Sequence, residues 1–211
     1  MVARFVPAAP PERGSEVFTF AGHDIHVLTT GVGMVATAVR STRVLARDRY
    51  DLALNLGVCG SFVAHLPPGC VVSITADRIG ELGAEDGDAF LTAQDLKLLD
   101  DDEFPFVAGQ LINAIVPDHP VLQSLPRVSA ITVNTAHGRD ESIARARVLF
   151  HPDVESMEGA AFMYACLTFD QPFAQVRAVS NMVERRNRAA WKLPEAIRAL
   201  GDTTIRFLER L

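Results

Sequence analysis

The chain has 211 residues, 48% of them hydrophobic, which is enough for one substantial core and unlike a disordered or fibrous sequence. Its 20 basic and 26 acidic residues give a formal charge of -6, arguing against a general affinity for nucleic acid. No apolar run reaches membrane-spanning length and no signal-type core opens the chain, so a cytoplasmic protein without a membrane partner is expected.

In chain order, residues 17–20 and 25–28 alternate apolar and polar side chains around a Gly-containing turn, which predicts a hairpin. Gly31-Val32-Gly33 then leads into a predicted helix over 34–47, with Val35, Ala38, Val39 and Leu45 forming its apolar stripe. Residues 52–56 read as a buried strand ending at Gly57, and 70–75 as a second, β-branched strand. The acidic span 80–105 reads as a surface excursion with a short helix at 94–99. A strand at 129–134 follows a loop region at 117–126.

Helices are predicted at 141–150 and 157–168, a strand at 173–179 and a terminal helix at 194–211. Strands separated by helices predict one α/β domain over 1–211, a three-layer sandwich with a mixed, largely parallel central sheet. Such sheets bind ligands beyond the carboxyl ends of their strands. Gly57, Asn134 and Asn181 each fall just past a predicted strand and could share one crevice.

Two segments interrupt the apolar pattern with polar groups: Val154-Glu155-Ser156-Met157-Glu158-Gly159-Ala160-Ala161 and Arg177-Ala178-Val179-Ser180-Asn181-Met182-Val183-Glu184. Glu158 opens a predicted helix, where a carboxylate is either a partner of the helix dipole or a ligand able to accept both vicinal hydroxyls of a ribose. Asn181 is either an Asx turn or helix cap, or an amide offering a donor and an acceptor to the O6 and N7 edge of a 6-oxopurine.

Gly57-Val58-Cys59-Gly60-Ser61 could bring backbone N–H groups to a ligand, and tight packing explains the glycines equally well. In the loop after 129–134, Ala136 and His137 could contact a base or belong to the surface. The basic run Arg185-Arg186-Asn187-Arg188 is either a solvated loop or helix end, or a lid or anion contact. Cys59, Cys70 and Cys166 are too widely spaced for a disulfide framework or a CxxC metal site. The histidines show no HExxH spacing, and GxSxG and P-loop motifs are absent, so neither a metal nor another cofactor is expected.

These motifs resemble those of the nucleoside phosphorylase and nucleosidase superfamily, and those of the futalosine hydrolases of the menaquinone pathway in particular. The resemblance covers residue 29 to the carboxyl terminus. Asn55-Leu56-Gly57-Val58-Cys59-Gly60 resembles the superfamily's Asn-x-Gly-x-x-Gly turn, Met157-Glu158 its Met-Glu pair, and Arg177 to Asn181 its Arg-x-x-Ser-Asp motif with asparagine replacing aspartate.

The resemblance implies that Glu158 binds the ribose hydroxyls, Met157 packs on the nucleoside and Asn181 addresses the base. Gly57, Val58, Gly60, Ala136, His137, Arg177 and Ser180 would complete the substrate site. It implies hydrolysis of futalosine to hypoxanthine and dehypoxanthinyl futalosine, with a purine nucleoside and water as partners and a homo-oligomeric assembly. Three other outcomes stay open: a purine nucleoside phosphorylase, a methylthioadenosine/adenosylhomocysteine nucleosidase, and a nucleoside-binding module without catalysis.

At its amino terminus the chain departs from the pattern, since Met1 to Val6 resembles only the tail of the family's first strand. The strand and the water-activating glutamate after it are expected to be missing. Neither Glu12 nor Glu16 matches that glutamate by motif.

Overall fold

A computed structural model describes residues 15–211. The expectation about the first strand and the position of Glu12 lie outside the described residues. The first two strands, β1 (Ser15–Phe20) and β2 (His23–Leu28), pair antiparallel as a separate hairpin. Its turn residues Ala21 and Gly22 both have positive φ, 49° and 86°. That is the turn hand which matches strand twist, and only the glycine adopts it without strain.

Helix α1 (Met34–Leu45) follows, then the long strands β3 (Ala53–Ser61) and β4 (Val71–Ile79). Strand β3 corrects the expected end at Gly57: the glycine lies mid-strand, opposite Arg177. The excursion at 80–105 carries a hairpin, β5 (Gly83–Asp86) and β6 (Ala89–Thr92), and residues 94–99 form turns instead of the expected helix. Short strands β7 (Phe106–Val107) and β8 (Gln110–Ile112), then helix α2 (Pro120–Ser124), occupy the stretch before β9 (Arg127–Thr132).

Helix α3 (Asp140–Phe150) leads to the three-residue strand β10 (Val154–Ser156), which the sequence pattern did not show. Helix α4 begins two residues later than expected (Gly159–Thr168), so Met157 precedes it and Glu158 stands at its cap position. Strand β11 (Phe173–Met182) runs three residues beyond the expected end, and α5 (Leu193–Leu208) closes the described chain.

The main sheet is mixed, in the order β11-β3-β10-β9-β4-β8-β7, with β11 and β4 also paired. That extra antiparallel pairing, Gln175 to Ala178 against Ile74 to Val71, closes five strands into a distorted barrel. Cys59, Val72, Ile74, Val128, Ala130, Val154 and Val179 form one apolar cluster on these strands. Helix α5 and α2 cover the side bearing Ala174 and Val176 through Phe207, Val121 and Leu122. Ala160, Met163 and Cys166 of α4 pack with Leu45 of α1 in another cluster. The expected α/β architecture with helices flanking a mixed sheet is thus present. Among the described residues, no helix is long and apolar enough to cross a membrane.

Candidate active site

Strands β3 and β11 run parallel in continuous register from Ala53 opposite Phe173 to Cys59 opposite Val179. There the register slips, and Gly60 lies opposite Asn181, leaving Ser180 as the extra residue of a bulge. The four residues Gly57 to Gly60 of β3 thereby span the five residues Arg177 to Asn181 of β11, and Arg177 and Asn181 each come to lie against a glycine. A Cβ on Gly57 would stand 2.1 Å from Arg177 Nη1. One on Gly60 would stand 3.2 Å from Asn181 Nδ2 and 2.9 Å from Val183 Cγ2. The glycines therefore make room for side chains of the site itself.

Glu158 is held through both carboxylate oxygens. The Gly33 N–H, at the start of α1, donates to Oε1 at 3.0 Å, and Arg177 Nη1 donates to Oε2 at 3.4 Å. Capping of α4 comes from elsewhere: the Gly159 N–H donates to Ser156 Oγ and the Ala160 N–H to Thr132 Oγ1. The Glu158 carboxylate itself makes no cap hydrogen bond, and its protein partners are Gly33 and Arg177. With one protein donor per oxygen, lone pairs remain for two hydroxyl donors.

Arg177 is only 3% exposed and lies behind Glu158. Its Nη2 donates to Gln175 Oε1 at 3.3 Å, and its Nε is buried without a hydrogen-bond partner. Gln175 in turn donates to Asp77, which is fully buried and also accepts from Thr132. Burial pushes the Asp77 carboxyl up to about 6, against the opposing pull of the Gln175 and Thr132 hydrogen bonds and the Arg177 charge.

The second group gathers around Gly60. Ser180 Oγ lies 2.8 Å from Asn181 Oδ1 and 3.1 Å from the Cys59 carbonyl, and Asn181 Nδ2 donates to the Met182 carbonyl at 2.9 Å. These contacts fix the amide plane and leave one N–H and one acceptor lone pair. Glu155, opposite Gly60 on β10 and 6% exposed, binds His137 twice: the His137 backbone N–H donates to Oε1 at 3.1 Å, and Nδ1 lies 2.6 Å from Oε2. His137 is thus part-buried and anchored, with its ring edge-on to Phe62. Sequence reasoning missed Glu155, although it lies inside the singled-out segment, and also missed Gln175, Thr132 and Asp77.

The remaining expected residues surround these groups. Val58 is half-buried opposite Ala178, Met157 is half-buried before α4, and Ala136 is exposed in the loop next to His137. The basic run is exposed, but Arg186 stacks on Trp191 and its N–H donates to the Gly138 carbonyl, tying the segment to the His137 loop. Glu16 is exposed on β1. Cys59 and Cys166 are buried thiols pushed up to about 12 by desolvation.

A mixed, barrel-closing sheet with a carboxylate at a helix start and an amide at a strand end defines a class, and the chain belongs to the phosphorylase superfamily, whose family model matches residues 5–211. Within that superfamily it is similar to futalosine hydrolases. The enzyme of Streptomyces coelicolor is 31% identical, over 93% of this chain and 86% of its own length. That of Thermus thermophilus is 30% identical, over 86% of this chain and 80% of its own. The solved futalosine hydrolase of Helicobacter pylori superposes with a TM-score of 0.72 at 17% identity, covering 96% of this chain and 88% of that one.

Proposed function

We infer that this chain is an N-glycosyl hydrolase that cleaves futalosine to hypoxanthine and dehypoxanthinyl futalosine. The observation that carries the reading is the placement of Glu158: a carboxylate relieved of capping, fixed by Gly33 and backed by a buried arginine. The similarity to futalosine hydrolases supports the substrate.

In the proposed reaction the C1′–N9 bond breaks and its electron pair leaves with the purine, which gains a proton at N7. That proton comes from solvent; a water oxygen bonds to C1′, keeps one hydrogen as the new hydroxyl and returns the other proton to solvent, so one water is consumed and no net proton is gained or lost. Glu158 holds the ribose hydroxyls, Arg177 acts through Glu158, and Met157 packs on the nucleoside. The Asn181 amide, oriented by Ser180, accepts the N7 proton's hydrogen bond and donates to O6, stabilising the departing base. Gly57 and Gly60 make space for these groups, while Val58, Ala136 and His137 border the base side.

The protein would be a cytoplasmic homo-oligomer. The side of α1 carrying Val35 and Val39 is 76% and 62% exposed, and exposed Val32 precedes it, an apolar stripe suited to a second copy. Sedimentation as a monomer at micromolar concentration would overturn that assembly.

The direct test is incubation with futalosine, inosine and methylthioadenosine, with and without phosphate, followed by chromatography of the released base. Hypoxanthine from futalosine in phosphate-free buffer is expected. A requirement for phosphate would instead make the chain a phosphorylase, faster adenine release a methylthioadenosine nucleosidase, and saturable binding without release a binding module.

A further inference from the structure

Asp77 lies on β4, away from both segments that carry the site, and nothing in the proposed reaction uses it. Yet both of its oxygens are committed. Gln175 Nε2 donates to Oδ2 at 3.1 Å, and Thr132 Oγ1 donates to Oδ1 at 2.9 Å. Each partner opens an arm that leads to Glu158.

The first arm runs through the side chains. An amide that donates to Asp77 must turn its carbonyl the other way, and Gln175 Oε1 there accepts from Asn55 Nδ2 at 3.0 Å and from Arg177 Nη2 at 3.3 Å. Arg177 then presents Nη1 to Glu158. The second arm runs through the backbone: Thr132 Oγ1, with its hydrogen given to Asp77, accepts the Ala160 N–H at 2.7 Å, two residues beyond Glu158.

Gly159 lies between the arms. A Cβ on it would come within 2.3 Å of Asp77 Oδ2 and 2.4 Å of Gln175 Oε1, so the network packs directly on the backbone that follows Glu158. A fold that needed only a filled interior would favour an apolar group here, because an ionised carboxylate is costly to bury. Two arms converging on one carboxylate are instead what preorganisation of a ligand-binding group requires.

We propose that Asp77 is a positioning residue for ribose recognition, acting through Gln175 and Arg177 on the Glu158 side chain and through Thr132 on the Glu158 backbone. The proposal rests on the reading of Glu158 as the ribose-binding carboxylate. A carboxylate accepts at both oxygens, whereas an asparagine must present an N–H to one of two donors. Asp77→Asn therefore breaks one arm while keeping the volume.

The test compares kcat and KM for futalosine and its 2′-deoxy analogue in the wild type, Glu158→Gln, Asp77→Asn and Gln175→Met, with melting temperatures measured alongside. The expected result is a wild-type preference for the ribo substrate that falls about tenfold in Asp77→Asn and Gln175→Met, a loss the size of one charge-assisted hydrogen bond. A merely structural role would lower the melting temperature and leave the ribo to deoxy ratio intact. Should Asp77→Asn fail to fold, Thr132→Val and Gln175→Met each cut one arm and read the same ratio. If Glu158→Gln abolishes the preference while the folded network variants keep it, the positioning role is overturned and the ribose reading survives. If the wild type shows no turnover, or Glu158→Gln keeps the preference, both readings fall together.

Discussion

Asn181, proposed above to address the departing base, shows how neighbours set what a single side chain can offer. An asparagine at a strand end has many local uses, and one of them is present, since Nδ2 donates to the next carbonyl. What exceeds a local turn is the bond to Ser180, which holds the amide so that one donor and one acceptor remain side by side. Asn181→Asp replaces that pair with a group that is acceptor-only when ionised. The expected outcome is a loss of about 10- to 100-fold in kcat/KM for futalosine, the cost of one unmade hydrogen bond. Glu158→Gln should cost at least as much, because it also leaves Arg177 buried beside a neutral amide. Unchanged steady-state kinetics in both variants would sink the site assignment. Glu158 and Asn181 stood out as candidates because polar residues interrupt apolar runs at a helix start and a strand end, whereas Met157 came only from the family resemblance. Asp77 and Glu155 were not: along their own strands they look like ordinary polar alternations, and their partners come from distant strands.

Elements were legible in proportion to their length. The hairpin, α1, α3, α5 and the long strands carry enough residues for their period to show, whereas β10, β7 and β8 have three residues or fewer. Gly57 misled for a physical reason: a glycine in an apolar run resembles a strand end, but here it marks the close approach of Arg177 to a continuing strand. The start of α4 is the element on which the site most depends. Ser156 Oγ accepts the Gly159 N–H, so Ser156→Ala leaves a buried donor unmet and is expected to cost about 1 kcal/mol of stability. Urea unfolding would measure it. Since Ser156 has no bond to Glu158, kcat for futalosine should fall far less than in Glu158→Gln, and an equal fall would mean that the cap and the carboxylate act as one unit.

At the scale of the molecule, the closure of the sheet by β4 and β11 was beyond local pattern, because about a hundred residues separate the paired segments. Closure brings Asp77 of β4 beside Gln175 of β11, and so turns a polar position into a buried charge with a consequence for stability. The Asp77 carboxyl is held at about 6 in the fold against 3.8 for a free side chain. Below about pH 4 both folded and unfolded chains carry the proton and the group costs nothing. Between about 4 and 6 the folded chain keeps a proton that the unfolded chain has released, so the contribution of this group to stability falls as pH rises. Above about 6 the carboxylate is ionised inside the barrel at a cost of about 3 kcal/mol. Asparagine at this position does not titrate. The stability of the wild type relative to Asp77→Asn should therefore rise by about 2 kcal/mol on going from pH 7 to pH 4, because at pH 4 the unfolded carboxyl is still partly ionised. Paired urea unfolding curves at the two pH values would show it. A difference that did not change with pH would mean that Asp77 releases its proton in the fold at the same pH as in the unfolded chain, the Gln175, Thr132 and Arg177 contacts fully offsetting its burial.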